Sequence, residues 1–502
     1  MGRISKKFSQ LTVRTNKRCF FLAGLLVLLG GCASAAPVSE IAEAYLPLAV
    51  QRSGGERTPL PSAPLTLDEV VKMALAHSRK IEMAERDVAI QDDRLLGALS
   101  NFLPKVQVSS DYHLRDNLQG TKVSGMPQPL IMGEKDVFTG KAQLVVPLYT
   151  FGQNSSLYAQ AARIREAAQF AAVRAKDEVV LEATQAYFIL LDALSFKEVV
   201  DKSLEQIRSH KKVAQEFFDQ GIVTKNDVLT AEVRESEMEQ QLLIAENNII
   251  IARSNLNRLL GIDLDNLTEV ERVAEPAQLQ LSLRECITAA FTHRPEISQM
   301  RKVKEAAEAG RSAAWASVFP RISAGGAWNY SDDPTQLHKD YWTVDAMLEW
   351  NIFSGLANTA RIGEAKKQVQ QVKTREKELL DAVALQVRTA YFNAKQAIAQ
   401  IEVARKARAS ATENLRMFEE QYRENLASST DVLDAEAQLA RAESNLIGAL
   451  YRSNVAAAEL ETAIGQKLEK IRSGESAVGR EAGNPPAKQQ STQEGKKSET
   501  EK

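Results

Sequence analysis

Tyr341-Trp342-Thr343-Val344-Asp345-Ala346-Met347-Leu348-Glu349-Trp350-Asn351-Ile352-Phe353 is a run with two faces. Trp342, Val344, Ala346, Leu348, Trp350 and Ile352 share one face. Thr343, Asp345, Glu349 and Asn351 share the other, with Met347 the apolar residue among them. Side chains of an extended chain alternate sides, so the run reads as a strand with one apolar and one polar surface. It is near the roughly 9–11 residues of a tilted strand that crosses a bilayer. After Ser354-Gly355 the period changes. Ile362, Ala365, Val369, Val372, Leu379, Val383, Val387, Ala390, Ala394, Ile398 and Ile401 recur at spacings of three and four, with a turn skipped at Glu376. That is a coiled-coil-like seam, and its many Ala residues let helices approach closely. No Pro lies between Pro334 and Pro485, or between Pro147 and Pro276. Pro costs about 3 kcal/mol inside a helix, so both stretches are free to form very long helices.

The same design occurs twice. Leu65-Thr66-Leu67-Asp68-Glu69 recurs as Leu281-Ser282-Leu283-Arg284-Glu285, and the offset of 216 also maps His77 to His293 and Leu103-Pro104 to Phe319-Pro320. Further on, an offset of 204 maps Ala186-Tyr187-Phe188 onto Ala390-Tyr391-Phe392, Asp227-Val228-Leu229 onto Asp431-Val432-Leu433, and Gly261 onto Gly465. One indel between Pro104 and Tyr149 accounts for the change. The chain therefore reads as repeat 1 over 65–280 and repeat 2 over 281–471, each a helix, a β-hairpin (105–149 and 321–353), a long helix, a tip turn (218–227 and 422–431) and a returning helix. The first long helix, Gly152 to about Phe218, spans about 100 Å at 1.5 Å per residue, too long for a compact globular domain.

In copy one, Val106, Val108, Tyr112 and Leu114 make one apolar strand face, and Ala142, Leu144, Val146 and Leu148 another; Ile322, Ala324, Gly326, Trp328 and Tyr330 alternate likewise in copy two. Aromatics gather near the strand ends, as in interfacial girdles. Four strands do not close a membrane barrel, whose known minimum is about eight, and open edges are not tolerated in lipid. Oligomerisation is the expected solution, and three chains would supply twelve strands. Loops 115–136 and 332–340 would then face outside.

Composition excludes several classes. Of 502 residues 25% are charged, with a net charge of -2, so the basic stripe of a nucleic-acid binder is missing. No P-loop, dinucleotide fingerprint or metalloprotease motif is present. The five His are scattered, and the nine Met are dispersed. No enzyme, cofactor or metal site is expected. Arg3, Lys6, Lys7, Arg14, Lys17 and Arg18 precede the apolar run Cys19–Leu29, which reads as a signal peptide over 1–31. Leu29-Gly30-Gly31-Cys32 resembles the bacterial lipoprotein processing box, with Gly30 a less usual residue there. It implies lipidation of Cys32, and Ala33 implies sorting to the outer membrane. Ordinary cleavage near Ala33-Ser34-Ala35 is the alternative. Cys286 is left as a lone cysteine, expected to be small and buried. Residues 32–64 read as a lead-in, and the polar tail 472–502 as disordered.

The layout from Leu65 to Gly465 resembles the TolC-type outer membrane factors. Pro147-Leu148-Tyr149-Thr150-Phe151-Gly152 and Asn351-Ile352-Phe353-Ser354-Gly355 look like that family's strand-to-helix junctions, with Phe151 and Leu356 standing where it usually has a second Gly. His293-Arg294-Pro295-Glu296 looks like its early-helix turn. Phe218 to Leu229, and its second copy Tyr422 to Leu433, look like its periplasmic tip turns. Gly221 suits the left-handed position that ends a helix, and Asn425 is the next best residue there. Thr224 and Ser428, or Asp227 and Asp431, are candidate caps of the returning helices.

The resemblance implies a fold dominated by α-helix with transmembrane β-structure. That fold is a homotrimeric twelve-stranded β-barrel continuous with a long α-helical coiled-coil barrel. It implies a passive exit channel for efflux or type I secretion, reached by a periplasmic adaptor and an inner-membrane pump. Asp431 and Asp434 match the carboxylates that ring the tip, and Gly221, Ile222, Asn425 and Leu426 are the expected adaptor-docking residues. Asp431 and Asp434 have a plainer reading as cap and first-turn dipole partners. The rival from another class is a periplasmic coiled-coil scaffold or adaptor without a pore, which explains the helices but not the two-faced strands.

Overall fold

The computed structural model describes residues 63–128, 130–272, 279 and 281–467. The signal segment, Cys32, nearly all of the lead-in and the tail 472–502 lie outside them. Two units divide the chain. One is Met1–Leu60 with Asp263–Asp265, described only at the latter three residues; the other, Pro61–Ile262 with Asn266–Lys502, holds everything below.

The described helices are α1 (Leu67–His77), α2 (Arg79–Leu99), α3 (Gln153–Asp219), α4 (Lys225–Leu260), α5 (Leu283–His293), α6 (Pro295–Ala316), α7 (Ala357–Arg423) and α8 (Ser429–Ile464). Equivalent helices of the two halves are of matching length: 67 residues for α3 and α7, and 36 for α4 and α8. Each half opens with the same device. The Thr66 and Ser282 hydroxyls accept the N–H groups of Glu69 and Glu285, whose carboxylates accept the Thr66 and Ser282 N–H groups in return. Such boxes satisfy two orphan groups at a helix start.

The first helix of each repeat is in fact two. Ser78 breaks α1 from α2, its hydroxyl accepting from the Ile81 N–H, and Arg294 breaks α5 from α6 with Pro295 at the first helical position. Both joints are gripped by glycines that end the returning helices. Gly261 (φ +73°) lies where an added Cβ would meet His77 Cβ at 2.8 Å, and Gly465 (φ +77°) where it would meet the Arg294 backbone at 3.2 Å.

The strands are β1 (Lys105–Leu114), β2 (Gln119–Thr121), β3 (Leu130–Gly133), β4 (Asp136–Tyr149), β5 (Arg321–Ser331) and β6 (Asp340–Glu349). Four form one antiparallel sheet, β1-β4-β5-β6, in which β4 pairs with β5 across the repeats. Among the described residues β1 and β6 each have one unpaired edge. Trp342 and Val344 are 77% and 90% exposed, and Val106 and Val108 are exposed likewise. The alternation reaches Phe353, but the ladder stops at Glu349. Beyond it the Trp350 indole N–H donates to the Val318 carbonyl at 3.1 Å. The expected loop 115–136 contains the small β2–β3 hairpin. Gly120 faces the Leu130 carbonyl where a Cβ would sit at 2.8 Å, and Gly125 turns the chain at φ +93°.

The helices pack through the expected seam. Val383, Val387, Ala390, Ala394 and Ala397 of α7 meet Ala456, Leu460, Ala463 and Ile464 of α8, with Cys286 and Ala290 of α5 in the same cluster. Cys286 has no exposure. Glu376, where the seam skips a turn, pairs with Lys304 at 2.8 Å. His77 and His293 place Nδ1 against the Met73 and Ala289 carbonyls in the last turns of α1 and α5.

Candidate functional site at the helix-hairpin tips

The two tip turns share one geometry. At the end of α3, the Gly221 N–H donates to the Phe218 carbonyl (2.8 Å) and the Ile222 N–H to the Phe217 carbonyl (2.9 Å). At the end of α7, the Asn425 N–H donates to the Tyr422 carbonyl (3.0 Å) and the Leu426 N–H to the Gln421 carbonyl (2.8 Å). Both are Schellman ends, in which the residue after the cap is left-handed; φ is +75° at Gly221 and +60° at Asn425. Ile222 and Leu426 are thereby pushed out, and Leu426 is 73% exposed.

The returning helices start on capping boxes. The Thr224 N–H and hydroxyl donate to the Asp227 carboxylate at 3.0 and 2.6 Å, and those of Ser428 to Asp431 at 2.8 and 2.6 Å. Hydroxyl and carboxylate thus act together in each cap, where either alone was expected. The bonds from Ser428 hold the exposed Asp431 carboxyl below the usual carboxylate range. Asp434 lies one turn on, 3.2 Å from Nη2 of Arg234 on α4. Arg234 also holds Glu237 at 2.9 Å through Nη1.

Behind the tips the two hairpins differ, and the repeat register shows how. In the first, Lys211 pairs with Glu232 (3.4 Å) and Glu235 (3.0 Å), and Arg208 pairs with Glu235 and Glu239. An offset of 204 turns Lys211 into Leu415, Glu235 into Leu439 and Glu232 into Glu436. Leu415 and Leu439 join Tyr422, Val432 and Ala435 in an apolar cluster. Glu436 keeps its carboxylate without the lysine. It is 3% exposed, and its Oε2 has no hydrogen-bond partner among the described residues. Burial, with the Glu419 charge adding to it, pushes its carboxyl up to about 8. Burial likewise holds His210 of α3 down to about 4. The rings of His210 and Phe217 lie 4.9 and 5.7 Å from that of Tyr422, so copy one's α3 is seated on copy two's hairpin.

Arg234, His210 and Glu436 escaped the sequence reading, and Tyr422 entered it only as the first residue of the second tip turn. A charged residue within the apolar stripe Val432, Leu433, Ala435, Leu439 was the legible signal for Glu436. Among the described residues no group of three or more His, Cys, Asp or Glu is placed to hold a metal.

The chain thus combines a two-faced sheet with helical hairpins whose tip turns are capped and exposed. A family profile described as Outer membrane efflux protein matches residues 70–262 and 286–466. The chain belongs to the outer membrane efflux protein family, whose members are exit channels of the outer membrane. It is 21% identical over 391 residues to the outer membrane protein TolC of Vibrio cholerae serotype O1, covering 76% of this chain and 86% of that one. In fold it is similar to the CusC channel, with a TM-score of 0.70, 18% identity, and 82% and 96% of the two chains covered. VceC of Vibrio cholerae superposes with a TM-score of 0.68 at 18% identity over 80% of this chain and 96% of that one.

Proposed function

We propose that three chains assemble through their sheet edges into a twelve-stranded barrel in the outer membrane, with the α3/α4 and α7/α8 hairpins forming a tunnel into the periplasm. The observation that carries this reading is the sheet itself. Among the described residues β1 and β6 each leave an edge unpaired, and outward side chains such as Val108, Trp342 and Val344 are exposed in the single chain. Open edges are not stable in lipid, and pairing β6 of one chain with β1 of the next closes the sheet.

The duct is a passive conduit for efflux or type I secretion, powered by an inner-membrane pump through a periplasmic adaptor. The exposed turns at Gly221, Ile222, Asn425 and Leu426 are the adaptor-docking surface. Asp431 and Asp434 line the tip, where a focused negative field favours cations. Cys32 carries a lipid anchor, as the Leu29-Gly30-Gly31-Cys32 box suggests.

Single-channel conductance of the detergent-purified protein in planar bilayers, with its oligomer mass, tests the reading. Small, cation-preferring, mostly closed openings from a trimer are expected. A protein soluble without detergent and silent in bilayers would restore the periplasmic scaffold.

A further inference from the structure

We propose that Arg234 sets the charge of the tip by neutralising Asp434, leaving Asp431 as the uncompensated carboxylate that each chain brings to the pore. The inference rests on the tip-gate reading above and adds a selectivity-determining residue to it. The two carboxylates are not in equivalent surroundings. Asp431 accepts two hydrogen bonds from Ser428, a neutral partner that leaves its charge in place. Asp434 instead faces a guanidinium at 3.2 Å.

That guanidinium is aimed. Glu237, one turn along α4, takes Nη1 at 2.9 Å, and Nη2 is thereby turned toward α8. The backbones allow the meeting because α4 leans on α8 here, where Ala231 packs with Leu433 and Ile207.

The repeat register explains why the pair exists only across the halves. Thr230 stands in repeat 1 where repeat 2 has Asp434, and Gln438 stands in repeat 2 where repeat 1 has Arg234. Thr230 spends its hydroxyl on the Asn226 carbonyl at 2.8 Å, within its own helix. Each half has one member of an ion pair that neither half makes alone. Both side chains are well exposed, at 38% and 56%. An exposed pair of this kind adds little to stability, so its effect lies in the local field and not in the fold.

The test is the potassium-to-chloride permeability ratio, from reversal potentials in planar bilayers, for the full-length wild type, Arg234→Gln, Asp434→Asn and the double variant, with Arg234→Lys alongside. Arg234→Gln should raise the ratio about fivefold, the effect of roughly one unit charge at contact distance in water. Arg234→Lys should stay near wild type. Asp434→Asn should lower the ratio by leaving the guanidinium without its partner, and adding Arg234→Gln to it should bring the ratio back to near wild type. If Arg234→Gln has no effect while Asp434→Asn does, the proposal falls and the tip gate stands. A double variant that stays as low as Asp434→Asn also overturns it, because the charge of Arg234 would then not be felt at the pore. If neither Asp431→Asn nor Asp434→Asn changes the ratio, the tip-gate reading itself fails.

Discussion

Nε2 of His210, on the long helix of the first repeat, lies 2.8 Å from Oγ of Ser429, the first residue of the second repeat's returning helix. Both residues are buried, so a polar contact inside an apolar interface registers one hairpin against the other. Burial makes the two titratable groups of this region opposite in sign. The unfolded chain binds a proton on His210 near the ordinary 6.5, which the folded chain refuses until about 4. Stability therefore rises with pH across that window. Glu436 does the reverse. The folded chain keeps its proton to about 8, whereas the unfolded chain releases it near 4.5, so stability falls with rising pH between those values.

The two slopes oppose each other between about 4.5 and 6.5. Above 6.5 Glu436 acts alone. The wild-type melting temperature should drop between pH 6.5 and 8 and then level off. Glu436→Gln should abolish the drop, with a gain of up to roughly 4 kcal/mol at pH 8 and above. Identical pH profiles for the two proteins would show that the carboxyl is not buried in the assembled protein.

Part of this fold was open to reading and part was not, for a physical reason. The alternation in 341–353 and the Pro-free stretches are local patterns, and they correspond to β6 and to the paired 67-residue helices α3 and α7. The tip turns were legible because Gly221 and Asn425 carry the left-handed position in their own chemistry. Contacts between distant segments carry no such mark. Arg234 meets Asp434 because α4 leans on α8, and Glu436 loses its counter-charge because Leu415 replaces Lys211 on another helix. The break at Ser78 was missed for want of a Pro or Gly to announce it, since a lone serine cap suffices there.

The strand-to-helix junctions each hold two consecutive left-handed residues with a single glycine to share between them. Phe151 has φ +50° beside Gly152, and Leu356 has φ +71° beside Gly355. Phe151 recovers something, since its ring stacks 5.7 Å from Phe319 and meets Tyr149 at 4.6 Å. Leu356 is 71% exposed. Left-handed backbone costs a residue with a Cβ roughly 1–2 kcal/mol, partly offset by the freedom glycine adds to the unfolded chain. Leu356→Gly should therefore stabilise by about 0.5–1 kcal/mol in thermal melts, and Phe151→Gly should destabilise. A destabilised Leu356→Gly would show that its side chain packs in the assembly.

Glycines with positive φ are not equivalent. Gly261→Ala adds a Cβ 2.8 Å from His77 Cβ, whereas the same change at Gly221 meets none of the described residues within 4 Å. Backbone strain is common to both, and overpacking belongs to the first. Gly261→Ala should lower stability by about 2–4 kcal/mol and Gly221→Ala by about 1. Parallel melts check this difference. If the two variants match, α1 yields at His77 without resistance.

Val344, near the middle of β6, is 90% exposed beside Thr343, which points to the opposite face. If that outer face is bathed in lipid, Val344→Arg places a charge in hydrocarbon at about 2–4 kcal/mol per chain near the midplane. Thr343→Arg would face the polar interior and cost little. The expected result is a clear loss of membrane-inserted oligomer for Val344→Arg and near-normal yield for Thr343→Arg, read by detergent extraction and native gel mobility. Equal yields would mean that the apolar face of the sheet is covered by protein. Losses confined to Thr343→Arg would mean that the sheet is turned the other way.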